Sequence, residues 1–242
     1  MTEAGTKRLV RLIELAVILA LSVYAVRIVE AGASLMHVGL PVMPLLKRTY
    51  LFFGFILIVC LYMRLKGEKL SSFGLVVPRR WLVLIGRGLL VFVVAMVFDM
   101  VGRPLIDPLI AHMTGTSPTL AEQHFASLKG NLPMLLYLIP MGCIFGAFGE
   151  EIFYRGIVMT RIAQVLGEGR AAWIAALFLQ AIPFAIGHSY QGPVGMVAIY
   201  VIAVITGAST LIWGRNLWPA IVAHGIQDTF GFIMLYAGLV HG

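Results

Sequence analysis

Seven side chains in this sequence are spaced for chemistry. Glu150 and Glu151 are neighbours, and Arg155 follows four residues after the second acid. Phe184 and His188 are four apart, and so are His224 and Asp228. Carboxylates and imidazoles are the usual general acids and bases, so the set points to proton transfer at one polar centre. On a helix, residues four apart share a face, whereas neighbours point about 100° apart. Glu151 and Arg155 are therefore expected to pair, which keeps Glu151 ionised and braces the helix. Glu150 points elsewhere and is left without a local cation, the setting of a general base. The Phe184 ring can pack beside the His188 imidazole and fix it. Asp228 can accept from His224, or both can face a substrate. Pro183 loosens the chain one turn before His188 and frees a carbonyl there.

The elements that must position these groups read as membrane helices. Of 242 residues, 60% are hydrophobic and 12% charged, too few charges to cover a water-facing surface, since soluble domains carry about 25%. A carboxylate in hydrocarbon costs roughly 2.5–3.5 kcal/mol on insertion scales, so a chain that only spanned would not keep an acid pair. The expected fold is all-α: a polytopic transmembrane helical bundle in one integral membrane domain, 1–242, with a core at about 132–240. Seven spans are expected, near 12–29, 49–64, 81–102, 132–160, 171–189, 193–213 and 217–239. Residues 32–46 contain Pro41 and Pro44 and read as re-entrant or interfacial; if they cross, the count is eight. Lys7, Arg8 and Arg11 precede the first apolar run as in a signal peptide, but Glu14 argues for an uncleaved helix.

The net charge of +7 does not indicate nucleic acid, because most basic residues flank apolar runs and follow the positive-inside rule. That bias places the N-terminus in the cytoplasm. Residues 65–80 form a basic cytoplasmic loop, and Ala111 to Leu128 are expected as a short helix on the outer surface. At 1.5 Å per residue, Glu150 and His224 lie ~12–15 Å from the cytoplasmic helix ends and His188 ~25 Å, a mismatch that a later start, a tilt or a bend at Pro183 would remove. The shallow depth of Glu150 and His224 suggests a cytoplasmic entrance. Cys60 and Cys143 read as small buried apolar groups. Arg87 is expected to snorkel, Asp99 to be interfacial and Tyr154 to pack. His37, His112, His124 and His241 receive no role.

In this order on successive apolar segments, Glu150-Glu151-x-x-x-Arg155, Phe184-x-x-x-His188 and His224-x-x-x-Asp228 resemble the motifs of the CAAX protease and bacteriocin-processing (CPBP, or Abi) intramembrane protease family. Arg215-Asn216-Leu217-Trp218-Pro219-Ala220-Ile221 is similar to that family's approach to its last motif, and Phe73-Gly74-Leu75 to a loop before its core. The resemblance covers about residues 140–235. It implies an intramembrane endopeptidase in which Glu150 and His188 activate a water. His224 and Asp228 would stabilise the oxyanion, with Glu151, Arg155 and Phe184 in support. The implied partners are the lipid bilayer and a membrane-associated protein or peptide substrate, with no nucleic acid. The implied location is the cell membrane. Many members carry Asn where this chain has Asp228; Asp occurs in bacterial branches, which implies a bacterial chain and argues against a prenyl-protein substrate. No cofactor is favoured. Zinc is the alternative, with Glu150, His188 and His224 as ligands, although His-Glu-x-x-His is absent.

Three other classes compete. A proton-coupled transporter would use Glu150, His188 and Asp228 as a relay, but no internal repeat is visible. A haem protein with His188 and His224 as axial ligands would not need the acid pair. A non-catalytic scaffold would not need it either.

Overall fold

The computed structural model describes residues 3–35, 44–116 and 125–239. Among these the regular structure is helical, without a strand. Seven rods follow one another in the described residues: α1 (Glu3–Leu35), α2 (Pro44–Leu65), α3 (Trp81–Thr114), α4 (Leu132–Leu166), α5 (Arg170–Gly187), α6 (Gly192–Ile212) and α7 (Trp218–Ala237). Among the described residues four stretches are long and apolar enough to cross a membrane: Trp81–Thr114, Leu132–Leu166, Arg170–Gly187 and Ser189–Ile212. Leu51–Leu65 is apolar but shorter. The outward faces of α2, α3 and α5 expose apolar side chains such as Leu57, Ile58, Leu82, Leu90 and Phe178. Contiguous apolar exposure of this kind belongs against lipid.

The last three helices lie close to the expected spans, and the earlier ones run longer. The third span does not stop at residue 102: α3 continues to Thr114 through a wide π turn at Phe98–Gly102. Pro104 lacks an amide proton and sits just after the wide turn, in the first turn of the stretch Arg103–Thr114, where a proline is tolerated; Pro108 lies inside that stretch. The surface helix expected at Ala111 to Leu128 is therefore corrected at its start, since residues 111–114 end α3. Residues 117–124 of that segment, and 36–43 of the 32–46 segment, lie outside the described residues.

The fourth span also departs from a plain α-helix. Gly142–Val158 is a π-helix of 17 residues, whereas most π segments are single-turn bulges, frequent at functional sites. Pro140 interrupts the α ladder just before it begins. The helix then runs on to Leu166, where Gly167 in the left-handed region ends it (φ 105°).

α7 packs against α3 and against the π segment of α4, while α5 and α6 pack on each other. Contact with α3 is close at Gly88, where a Cβ would lie 2.4 Å from Val222 Cγ1. The loop after α2 seals one end. Gly74 O accepts from Leu217 N (3.0 Å), and Val76 O accepts from the Trp218 indole (2.6 Å). Phe73 is buried beneath the Arg161 guanidinium, 5.3 Å from its ring centroid. Arg161 is itself buried and meets Glu68, Glu14 at 3.5 Å and Gln164 at 2.7 Å.

This loop places α7 deeper than its residue count suggests. Leu217 lies beside Gly156 of α4, so α7 starts well inside the bundle. His224, ~9 Å beyond Trp218, then reaches the level of Glu151. Glu150 itself is on the order of 20 Å from Leu166, the π-helical residues up to Val158 rising less than the α rise, and His188 ~27 Å from Arg170. The expected mismatch in depth narrows because α4 extends to Leu166. The shallow position expected for Glu150 is corrected for the same reason.

Gly88→Ala should destabilise the protein by about 1–3 kcal/mol, because the added methyl overlaps Val222. Adding Val222→Ala should recover much of that loss. Thermal unfolding of both single variants and the double variant in detergent measures the coupling; additive losses would contradict the packing described.

Candidate active site

The π segment presents the two acids to different surroundings. Glu151 is fully buried, whereas the Glu150 side chain keeps 20% of its exposure. Glu151 Oε1 lies 3.2 Å from Arg155 Nη1, the pairing expected from their spacing. The same oxygen lies 2.9 Å from His224 Nδ1. An ionised carboxylate can only accept, so the imidazole carries its proton on Nδ1 and donates it to Glu151. Glu151 therefore does more than brace its own helix: it orients a histidine on α7. Of the two arrangements their spacing allows, Asp228 accepting from His224 or both facing a substrate, neither is a hydrogen bond through Nδ1, which Glu151 occupies; Asp228 stands on the Nε2 side.

With Nδ1 committed, His224 Nε2 faces the open side of the cluster. Asp228 Oδ1 is 3.6 Å from it and Glu150 Oε2 is 4.0 Å. Both separations exceed a hydrogen bond, and one water can bridge atoms so spaced. Asp228 reaches this position because α4 has glycine opposite. A Cβ on Gly146 would lie 2.8 Å from Asp228 Oδ2, and one on Gly142 3.1 Å from it.

His188 caps the C-terminus of α5. Its Nδ1 lies 2.8 Å from Phe184 O and donates to it, leaving Nε2 as an acceptor. The ring is tilted against Phe184 at 4.7 Å, as the spacing suggests. Phe184 also meets His224 edge-on at 6.3 Å. One aromatic ring thus separates and spaces the two histidines. Among the described residues no hydrogen bond or ion pair joins His188 to Glu150. Glu150, Glu151 and Asp228 gather around His224, and His188 stands across Phe184 from it.

Arg155 ties these parts together. It is buried, its guanidinium stacks over Phe184 at 4.1 Å, and Nη2 donates to Thr206 Oγ1 at 2.7 Å. No sequence signal pointed to Thr206, because a threonine inside an apolar run usually bonds its own helix. Tyr154, read as packing, lies edge-on to Phe184 at 5.0 Å, with its hydroxyl 3.4 Å from where a Cβ on Gly187 would be. Among the described residues no three His, Cys, Asp or Glu side chains are placed to hold a metal ion. The trio Glu150, His188 and His224 does not form a ligand set as it stands.

The described residues thus combine apolar helices long enough to cross a membrane with a cluster of carboxylates and imidazoles gathered among them. Residues 132–230 match the family model described as Rce1-like, type II CAAX prenyl endopeptidase. That match begins at the first residue of α4 and takes in all three spaced motifs, so through this segment the chain is similar to the CAAX protease family. Comparison with curated proteins and with solved structures found no match.

Removing Glu151 leaves Arg155 buried without its anion and His224 without its acceptor. Glu151→Ala should therefore cost about 3–5 kcal/mol in unfolding free energy. Glu150→Ala, at a half-buried position without an ion pair to Arg155, should cost far less. Equal losses in detergent unfolding would contradict the division of labour.

Proposed function

We propose that the protein is an intramembrane endopeptidase that hydrolyses a peptide bond of a membrane-associated protein or peptide, with Glu150 activating the attacking water. The observation that carries this reading is the Glu150–His224–Asp228 cluster at 3.6–4.0 Å, held by a buried Glu151 within the segment matched to a peptidase family. A water between Glu150 and His224 would lose its proton to Glu150 as it attacks the scissile carbonyl. That proton then passes to the leaving amine, so the carboxylate is regenerated. Developing charge on the carbonyl oxygen needs donors already in place. His224 supplies one when protonated at Nε2, and Asp228 supplies one when protonated. His188 orients the water or the substrate from across Phe184. Glu151, Arg155 and Phe184 hold these groups without touching substrate.

The reading includes a single membrane domain with seven or eight crossings, an N-terminus in the cytoplasm, and residence in a bacterial cell membrane. It is metal-free. The depth of Glu150 favours a scissile bond brought well into the bundle rather than one cut at its cytoplasmic rim. Asp228, a departure from the Asn of the resembled motif, favours a substrate other than a prenylated protein.

Glu150→Gln should abolish cleavage while leaving protein abundance unchanged. An unbiased comparison of membrane-protein fragments from cells carrying either form tests this, and identical fragment sets would overturn the proposal. Activity on a substrate found in this way should survive exhaustive chelation. Loss with chelator and recovery with zinc would replace the metal-free mechanism.

A further inference from the structure

Thr206 lies on α6, the one helix from α4 onward that carries none of the three motifs, yet it reaches the centre of the site. Its side chain is buried. Its Oγ1 accepts from Arg155 Nη2 at 2.7 Å and donates to Ile202 O at 3.0 Å. Donating to its own backbone leaves the hydroxyl's lone pairs turned toward the guanidinium. Arg155 Nε and Nη1 have no hydrogen-bond partner among the described residues. Nη1 meets Glu151 Oε1 only as an ion pair at 3.2 Å. Thr206 therefore supplies the hydrogen bond that fixes the guanidinium's rotation.

That rotation matters because Arg155 touches the supports of both histidines. On one side it neutralises Glu151, whose Oε1 accepts from His224 Nδ1 at 2.9 Å. On the other it stacks at 4.1 Å on Phe184, whose carbonyl holds His188 Nδ1 and whose ring lies against the His188 ring. The anchor is closely packed. α6 approaches α5 closely at Gly207, where a Cβ would lie 2.7 Å from Leu177 Cδ1. Buried Gln180 of α5 bonds Ala203 O at 3.1 Å, one turn before Thr206.

We infer that Thr206 is a positioning residue for both histidines, acting through Arg155 to fix the His224 tautomer and the Phe184–His188 pair. The catalytic part of this inference rests on the endopeptidase reading, whereas the positioning part does not. Thr206→Val keeps the shape and removes the acceptor; Thr206→Ser keeps the acceptor. Full-length protein with 15N-labelled histidine, in detergent, reports the ring nitrogens directly, with His224→Gln identifying the His224 signals. The wild type and Thr206→Ser should show one His224 form, protonated at Nδ1. Thr206→Val should show tautomers in exchange and shifted His188 signals. If Thr206→Val does not fold, Thr206→Cys, whose thiol is a weak acceptor, carries the same expectation. An unchanged His224 tautomer in the folded variant, whatever its melting temperature, would overturn the inference and leave Thr206 a packing residue. On a cleaved membrane peptide, Thr206→Val should lower kcat about ten-fold with little change in KM, and serine should restore it. A wild type that cleaves nothing would refute the endopeptidase reading, and the ring spectra would still decide the role of Thr206.

Discussion

One buried carboxylate oxygen governs the site. Glu151 Oε1 meets Arg155 at 3.2 Å and His224 Nδ1 at 2.9 Å, on a side chain with no exposure. An isolated charge at such a position is costly, and the cost is offset only when the ion is paired and hydrogen-bonded. The pairing in turn requires α4, α6 and α7 to meet at one level, because Arg155 is held from Thr206 and His224 comes from α7. The loop at Phe73–Val76 supplies that level by seating the start of α7 against Gly156. Helix positions far from the chemistry are thus fixed by what Glu151 needs.

The same constraint separates two acids that are adjacent in sequence. Glu151 Oε1 is committed to its partners Arg155 and His224. Glu150 has no hydrogen bond among the described residues and faces His224 Nε2 across 4.0 Å. A group that transfers protons must be free to change its bonding, and a group that orients must not. The π-helix allows the division by widening α4 where the glycines Gly142 and Gly146 make room for Asp228. Close approach there lets a third carboxylate enter the cluster without a side chain in its way.

Much of this was legible in the sequence, for particular physical reasons. Spacing of four placed Glu151 beside Arg155 and Phe184 beside His188, because that rule needs only one helix. Long apolar runs located the last three helices within a residue or two, since hydrophobic length is set by the bilayer rather than by tertiary contacts. Relations between helices were not legible. The bond from Glu151 to His224 and that from Arg155 to Thr206 join residues far apart in sequence, and no local periodicity encodes them. The π geometry was hidden too, because hydrophobic pattern does not distinguish wide turns from α turns. Depth was misjudged through helix ends: α4 runs on to Leu166, where Gly167 stops it, and α7 begins beneath a docked loop whose contacts no local signal encodes.

The central claim is that Glu150 delivers a water to a peptide carbonyl inside the bundle. Hydrolysis in 18O-enriched water measures this directly. Purified wild type and Glu150→Gln, reconstituted in lipid vesicles with membrane peptides, are compared by mass spectrometry of the new carboxyl termini. The account predicts 18O in the termini formed by the wild type and no new termini from the variant. Equal cleavage by Glu150→Gln, or cleavage without 18O in the new carboxyl groups, would contradict it.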